Sequence, residues 1–314
     1  MIISGPTASG KTRLSVELAL SCGGEIISAD SMQVYKYMDI GTAKVRPDEM
    51  KGVPHHLIDI CMPDQACSIA DWKNAASAAV DSILERGNIP IVVGGTNFYI
   101  HALLYDTDFD EEISDGSVRK ELEREAELKG ADYMYGLLKS TDPEAAESMH
   151  PNNIKRVIRA LEYNRITGGL ISEHNRISKE KESPYDFVYY ALFRDRSVLY
   201  PDIDRRVDMM MSEGLTEEVI RLKAMGCRQD MVSMQALGYK EMLDYLDGKC
   251  SVEEAVDIIK RDTRRYAKRQ YTWLNHEKDI TWIDAPSDSD SFREVLERMT
   301  EKTKELKDEY FGNV

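Results

Sequence analysis

Gly5-Pro6-Thr7-Ala8-Ser9-Gly10-Lys11-Thr12 decides the fold of this chain. The stretch meets the spacing G-x-x-x-x-G-K-[ST] at all four fixed positions. Met1-Ile2-Ile3 precedes it as a short apolar strand, and Leu14, Leu18 and Ala19 follow at helical spacing. In that setting successive backbone N–H groups of the loop turn into one concavity. The helix N-terminus adds the positive end of its dipole. Lys11 brings a mobile cation, and Thr12 brings a hydroxyl suited to Mg²⁺. Such a loop recognises a polyphosphate, and the spacing does not say which one.

Outward from the loop, strand-like and helix-like pieces alternate. Residues 25–29 read as a strand ending at Asp30, 70–86 as an alanine-rich helix, and 89–93 as a strand ending at Gly94-Gly95-Thr96. Apolar strands between helices predict a P-loop NTPase-like α/β fold, a parallel sheet flanked by helices. Ligands gather at the carboxyl ends of such strands, so the phosphate loop, Asp30 and Thr96 are expected around one crevice. Residues 108–115 are strongly acidic, 117–165 read as helices and 172–186 as a polar loop. A strand pattern returns at 186–193, followed by helices near 203–225, 238–247 and 252–275, a strand at 280–283 and a charged helix. The expected organisation is a core of 1–107 and 186–314, with a helical insertion domain at 108–185.

The 314 residues are 42% hydrophobic, enough for a sizeable core, and no run of apolar residues is long enough for a membrane span. The phosphate-loop strand starts at residue 1, so no leader is expected, and the predicted location is cytoplasmic. Five cysteines (Cys22, Cys61, Cys67, Cys227 and Cys250) lack C-x-x-C spacing and read as reduced thiols rather than a zinc site. A net charge of −15 argues against bulk nucleic-acid binding but leaves room for a local basic face. Two such faces are present. Lys155, Arg156 and Arg159 lie opposite Ile154, Val157, Ile158 and Leu161 on a helical wheel. In 260–270, six basic residues, among them Lys260, Arg261, Arg264, Arg265 and Lys268, stand against Asp262 alone. Each reads either as a solvated helix face or as a track for a phosphate backbone.

Other candidates carry open readings. Asp30 suits a general base at a strand end and equally a turn or N-cap. Arg205 and Arg206, expected near a helix start, read as solvated residues or as a clamp on a leaving phosphate group. The second strand ends in Gly94-Gly95-Thr96, where most nucleoside triphosphatases carry an aspartate; Asp59 is the available substitute. His55-His56 points apart like any adjacent pair and is expected to be structural. Met209, Met210 and Met211 are expected to pack a core.

Taken in order, several further stretches join the phosphate loop: Asp30-Ser31-Met32-Gln33-Val34-Tyr35, Gly41-Thr42-Ala43-Lys44, Pro54-His55-His56-Leu57-Ile58-Asp59, Gly94-Gly95-Thr96-Asn97, His150-Pro151-Asn152-Asn153, Arg156-Val157-Ile158-Arg159-Ala160-Leu161-Glu162, Gly238-Tyr239-Lys240-Glu241 and Ala267-Lys268-Arg269-Gln270-Tyr271-Thr272-Trp273-Leu274. As a set they resemble the tRNA dimethylallyltransferase family (isopentenyl-tRNA transferase, IPP transferase), of the bacterial type, over residues 1 to about 275. The resemblance implies that the loop binds dimethylallyl diphosphate, and that a dimethylallyl group passes to N6 of adenosine 37 in tRNAs reading codons that begin with U. It implies Asp30 as catalytic base, Arg206 as the diphosphate-contacting arginine, and Thr96 beside the target base. Gly5, Thr7, Ala8, Ser9, Gly10, Lys11 and Thr12 would hold the diphosphate, with Mg²⁺ on Thr12. Asp30, Ser31, Met32, Gln33, Thr96, Arg119, Lys155, Arg156, Val157, Ile158 and Arg159 would contact tRNA, and the enzyme would act as a monomer away from any membrane. Two positions depart from the family pattern: Asp202-Ile203 stands where Arg-Ile is common, and Lys155 stands where glutamine is common. A P-loop nucleotide kinase and an adenylate dimethylallyltransferase share the loop, but the latter would not need the basic insertion helix.

Overall fold

A computed structural model describes residues 1–105, 116–180 and 182–312. They form two compact units, one from residues 1–103 and 186 onward, the other from 104–185. The first begins with β1 (Ile2–Ser4), α1 (Lys11–Cys22), β2 (Gly24–Ala29), α2 (Pro47–Met50), β3 (His55–His56), α3 (Ile69–Glu85), β4 (Ile89–Gly94) and α4 (Asn97–Leu104). The second holds α5 (Ser117–Lys129), α6 (Ala131–Thr141), α7 (Pro143–Glu147), α8 (Ile154–Thr167) and α9 (Ile171–Glu180). The chain then returns with β5 (Tyr189–Phe193), α10 (Arg196–Ser212), α11 (Leu215–Ala224), α12 (Tyr239–Leu246), α13 (Val252–Leu274), β6 (Ile280–Asp284) and α14 (Ser289–Gly312). The acidic stretch 108–115 lies outside the described residues.

All six strands run parallel in the order β3-β2-β4-β1-β5-β6, the α/β architecture that the phosphate loop implied. Alternate strand residues serve opposite faces. Ile3, Ile26, Ile91, Tyr190 and Leu192 join Leu14 and Leu18 of α1 and Met299 of α14 in one core cluster. Elsewhere Trp72 of α3 stacks on Tyr99 of α4 at 4.6 Å and donates its indole N–H to the Ser28 carbonyl at 3.0 Å. Covered in this way, β1 and β2 have no exposed residue, and even their polar Ser4, Glu25 and Ser28 are buried.

Strand register positions the functional edge. Gly94 of β4 pairs with Ser4 of β1 on one side and with Ala29 of β2 on the other. A Cβ at Gly94 would lie 2.0 Å from the Ala29 carbonyl oxygen, so only glycine permits the approach. The next residues along, Gly5, Gly95 and Asp30, therefore leave the sheet side by side. The chain passes from β1 to β2 beyond β4, and from β4 to β5 beyond β1. That reversal of strand order opens a crevice beside β1.

At the amino end of β2, buried Glu25 accepts from Arg86 at 2.8 and 3.1 Å and from Asn88 at 2.8 Å, and meets His56 at 2.7 Å. Its hydrogen bonds to Arg86 are the main cause of a carboxyl pKa lowered to about 2. His56 is thus structural, as expected, whereas His55 bonds the Val53 carbonyl at 2.8 Å and lines the cleft at the carboxyl edge.

Three sequence expectations change. The polar stretch at 172–186 is helical as far as Glu180, because Asp142 Oδ2 accepts from the Ser172 N–H at 3.0 Å and Ile171 packs on the core of the helical unit. The helix expected at 203–225 is two helices, broken where Gly214 takes φ 101°. The first of them starts at Arg196, capped by Asp195, so Arg205 and Arg206 lie well inside it rather than at its start.

Candidate functional site

The residues at the carboxyl edge line a cleft of about 1250 Å³ within the α/β unit. Its floor is the phosphate loop. Gly5 at φ 148° leaves β1 under the Leu192 side chain, where a Cβ would find neighbours at 3.1 Å. Ala8 takes φ 62°, and Gly10 caps α1 in the left-handed region at φ 88°. The Thr7 N–H donates to buried Gln270 Oε1 at 3.1 Å, and Gln270 donates in turn to the Gly95 carbonyl at 2.9 Å. One α13 side chain thereby ties the loop to the end of β4. Ser9 is 1% exposed, and its hydroxyl has no hydrogen-bond partner among the described residues. Thr12 is exposed at the start of α1.

The cleft concentrates positive charge. The Lys11 ammonium folds back on the loop, donating to the carbonyls of Gly5 at 2.9 Å and Pro6 at 2.7 Å. Burial lowers its pKa to about 7; the Arg206 charge adds to the fall and Asp30 opposes it. Burial also lowers the Arg206 pKa, with Asp30, Glu49 and Glu213 opposing. Arg206 lines the cleft and forms no ion pair among the described residues, whereas Arg205 is exposed and pairs with Asp202 at 2.7 Å. The structure thus distinguishes the two arginines that the sequence left open.

Asp30 closes a turn, one of the two roles its sequence allowed, and it also lines the cleft. Its Oδ1 accepts from the N–H groups of Met32 at 2.9 Å and Gln33 at 3.3 Å, a turn closed by its own side chain. Its Oδ2 takes no hydrogen bond among the described residues, and Asp30, Ser31, Met32 and Gln33 all line the cleft. Thr96 Oγ1 accepts from the Ser31 N–H at 3.0 Å. Tyr266 of α13 bonds to the same Thr96 side chain, and burial foremost pushes the Tyr266 pKa up to about 12.

Other expectations fare differently. Asp59 pairs with Lys44 at 2.6 Å and is absent from the cleft lining, so it is no substitute for a triphosphatase aspartate. Met209 is exposed and Met210 half-buried, and both line the cleft instead of packing a core. The basic run on α13 is largely paired: Lys260 with Asp208 at 2.5 Å, Arg264 with Asp204, and Arg261 and Arg265 with Asp262 at 3.0 Å each. In the helical unit Lys155, Arg156 and Arg159 are exposed, while Arg119 and Arg159 share buried Glu162 at 2.7 and 3.4 Å. Val157 and Ile158 are only 0% and 7% exposed in that unit's core, so their side chains form no part of an RNA-facing surface. Gln270, Tyr266 and Glu218 carried no role in the sequence, and Met209 and Met210 were expected in a core rather than on the cleft. Gln270 stood inside a quoted motif, but nothing in its spacing announced a clamp.

A glycine-cornered loop between β1 and α1, at the carboxyl edge of a parallel sheet and facing an arginine and an aspartate, defines a P-loop-type phosphate-binding enzyme class. The comparisons narrow it. The profile of the IPP transferase family matches residues 33–277. A tRNA dimethylallyltransferase of Lachnoclostridium phytofermentans is 52% identical over 96% of this chain and 97% of its own. The solved tRNA isopentenylpyrophosphate transferase of Bacillus halodurans is 44% identical, with a TM-score of 0.72 over 97% of each chain. A eukaryotic dimethylallyltransferase solved acting on tRNA is 30% identical, with a TM-score of 0.78 over 91% of this chain and 73% of that one. The chain belongs to the IPP transferase family.

Proposed function

We propose that this chain transfers a dimethylallyl group from dimethylallyl diphosphate to N6 of adenosine 37 in tRNAs reading codons that begin with U. The observation that carries the reading is the register at Gly94. It brings the phosphate loop and Asp30 to the same edge two strands apart, about 10 Å, with β4 and Thr96 between them. That spacing suits a donor whose diphosphate rests on the loop and whose allylic carbon reaches toward Asp30.

In the reaction the N6–C1 bond forms as the C1–O bond breaks. The C–O electron pair leaves on the diphosphate, and the N6 proton passes to Asp30 Oδ2. The N6 lone pair is delocalised into the purine, so a base that accepts the proton during attack contributes about 10²–10⁴-fold. Loop amides from Ala8 to Thr12, Lys11 and Arg206 neutralise the charge gathering on the leaving group. Among the described residues no three His, Cys, Asp or Glu converge to hold a metal ion. The Thr12 hydroxyl, exposed at the start of α1, would hold Mg²⁺ beside the bound diphosphate, and the ion would supply further charge neutralisation. Extruding the adenine costs a few kcal/mol, which contacts from Arg119, Lys155, Arg156 and Arg159 to the anticodon stem-loop would offset.

Labelled dimethylallyl diphosphate, Mg²⁺ and either unmodified tRNA or AMP test the reading. Label on tRNA, lost when adenosine 37 is replaced, is the expected result. Label on AMP alone, the outcome for an adenylate dimethylallyltransferase, refutes it, as does consumption of ATP with no prenyl transfer, the outcome for a nucleotide kinase.

A further inference from the structure

Glu218 is a buried carboxylate outside the chemistry described so far. It sits on α11, 1% exposed, and no cation pairs with it among the described residues. Its charge is met instead by four neutral donors. Oε2 accepts from the N–H groups of Asp39 at 3.0 Å and Ile40 at 2.9 Å. Oε1 accepts from the Gly41 N–H at 3.1 Å and the Tyr239 hydroxyl at 2.6 Å. Three consecutive backbone N–H groups converging on one anion make a nest, the arrangement that phosphate loops offer to ligands. Here the anion is part of the chain. Glycine is required at 41, because a Cβ there would overlap the Tyr239 ring at 2.4–2.8 Å.

The segment so held is a wall of the cleft, which residues 39–44 line. It is also joined to the Asp30 turn. Gln33 donates its side-chain amide to the Thr42 carbonyl at 3.2 Å and accepts from the Ser28 hydroxyl at 3.2 Å. The Gln33 N–H in turn bonds Asp30 Oδ1. Hydrogen bonds joined by short stretches of chain therefore connect Glu218 through residues 39–42 and Gln33 to Asp30.

We infer that Glu218 is a positioning residue for prenyl transfer: an internal anion that fixes the 39–44 wall and, through Gln33, the orientation of the Asp30 carboxylate. The inference rests on the function proposed above. A carboxylate is needed because every neighbour donates. A glutamine would turn its NH₂ toward a backbone N–H, leaving one amide without an acceptor and one amide hydrogen facing another.

Glu218→Gln and Tyr239→Phe test it in the full chain, with steady-state kinetics on tRNA and amide hydrogen exchange read residue by residue. In wild type the amides of Asp39, Ile40 and Gly41 should be protected. In Glu218→Gln they should exchange faster, kcat should fall about 100-fold, and the KM for the donor should stay within about threefold, because the diphosphate loop is untouched. Tyr239→Phe removes one bond and keeps the carboxylate, so kcat should fall about tenfold. If Glu218→Gln does not fold, Tyr239→Phe alone decides, and an unchanged kcat there overturns the inference. Fast exchange with full kcat overturns it, as does a loss of kcat matched by KM and thermal stability, the signature of general unfolding. A wild-type protein that labels no tRNA overturns the functional reading itself, a result the variants cannot imitate.

Discussion

Lys11 makes a testable link between donor binding and protons. Without ligand its ammonium donates, among the described residues, to two loop carbonyls, and burial foremost, with the Arg206 charge, brings its pKa to about 7. A diphosphate on the loop supplies the missing negative charge and neutralises the repulsion from Arg206, so the bound-state pKa returns toward the ordinary lysine range. The sign follows. The bound state holds the proton more tightly, so binding takes up protons wherever free Lys11 is deprotonated, above pH 7, and takes up few below it. At pH 8 free Lys11 is about one-tenth protonated, so uptake is roughly 0.9 proton per donor; at pH 6 it is roughly 0.1. Between pH 7 and pH 9 donor affinity should fall roughly 50-fold. A terminal phosphate titrates near pH 6, so it adds little above pH 7.5. Calorimetry with dimethylallyl diphosphate at fixed Mg²⁺ and without tRNA, in buffers of different ionisation enthalpy, reads the uptake directly. Lys11→Arg carries a charge that does not titrate and should bind without uptake at pH 8. Heats independent of buffer at pH 8, or affinity flat from pH 7 to pH 9 in wild type, would refute the argument.

Asp30→Asn preserves the acceptor that closes the turn at Met32 and Gln33 while removing the base, so tRNA binding should persist and kcat fall about 10²–10⁴-fold; full turnover would remove Asp30 from the chemistry. Ser9→Ala deletes a buried hydroxyl with no partner among the described residues. Chemical denaturation without donor should show a gain of about 1 kcal/mol, and a loss of that size would mean the hydroxyl is satisfied. Glu25 has a folded-state pKa of about 2 against an ordinary 4.5. Its contribution, at most about 3 kcal/mol, is complete above pH 4.5 and lost as pH falls through 2. Urea unfolding of wild type and Glu25→Gln should therefore differ at pH 6 and converge near pH 2; a gap that persists at pH 2 would assign it to packing.

What the sequence made legible was local. The phosphate loop, the strands and most helices follow from glycine placement and apolar period, signals carried within about fifteen residues. The carboxyl-edge position of Asp30 and Thr96 followed from topology, since any parallel sheet gathers its strand ends there. Hidden features depend on partners far away in the chain. α9 owes its start to Asp142, thirty residues earlier. Gln270 reaches back to Thr7 across the whole fold. Glu218 stands on a helix whose polar and apolar residues alternate in the ordinary way, and only its burial among main-chain donors sets it apart. The α13 basic run misled for the same reason: Asp204 and Asp208, which pair two of its cations, lie more than fifty residues upstream.

The absent triphosphatase aspartate fits chemistry at carbon. In nucleotide hydrolysis or phosphoryl transfer the reaction occurs at phosphorus, and a strand-end carboxylate helps hold the metal against it. Here β4 ends in Gly94-Gly95-Thr96, and Asp59 is committed to Lys44. A carboxylate at the end of β4 would add negative charge beside a leaving group already rich in it. In the proposed prenyl transfer the loop would have one task, to stabilise departing diphosphate, with Lys11 and Arg206 adding positive charge beside its amides. The carboxylate that the proposed mechanism uses as its base belongs at the other end of the donor, beside the nucleophile. Register supplies that separation: Asp30 leaves β2 and Gly5 leaves β1, with β4 between them. The Asp30 carboxylate and the phosphate loop thus leave the sheet two strands apart, about 10 Å, on one cleft.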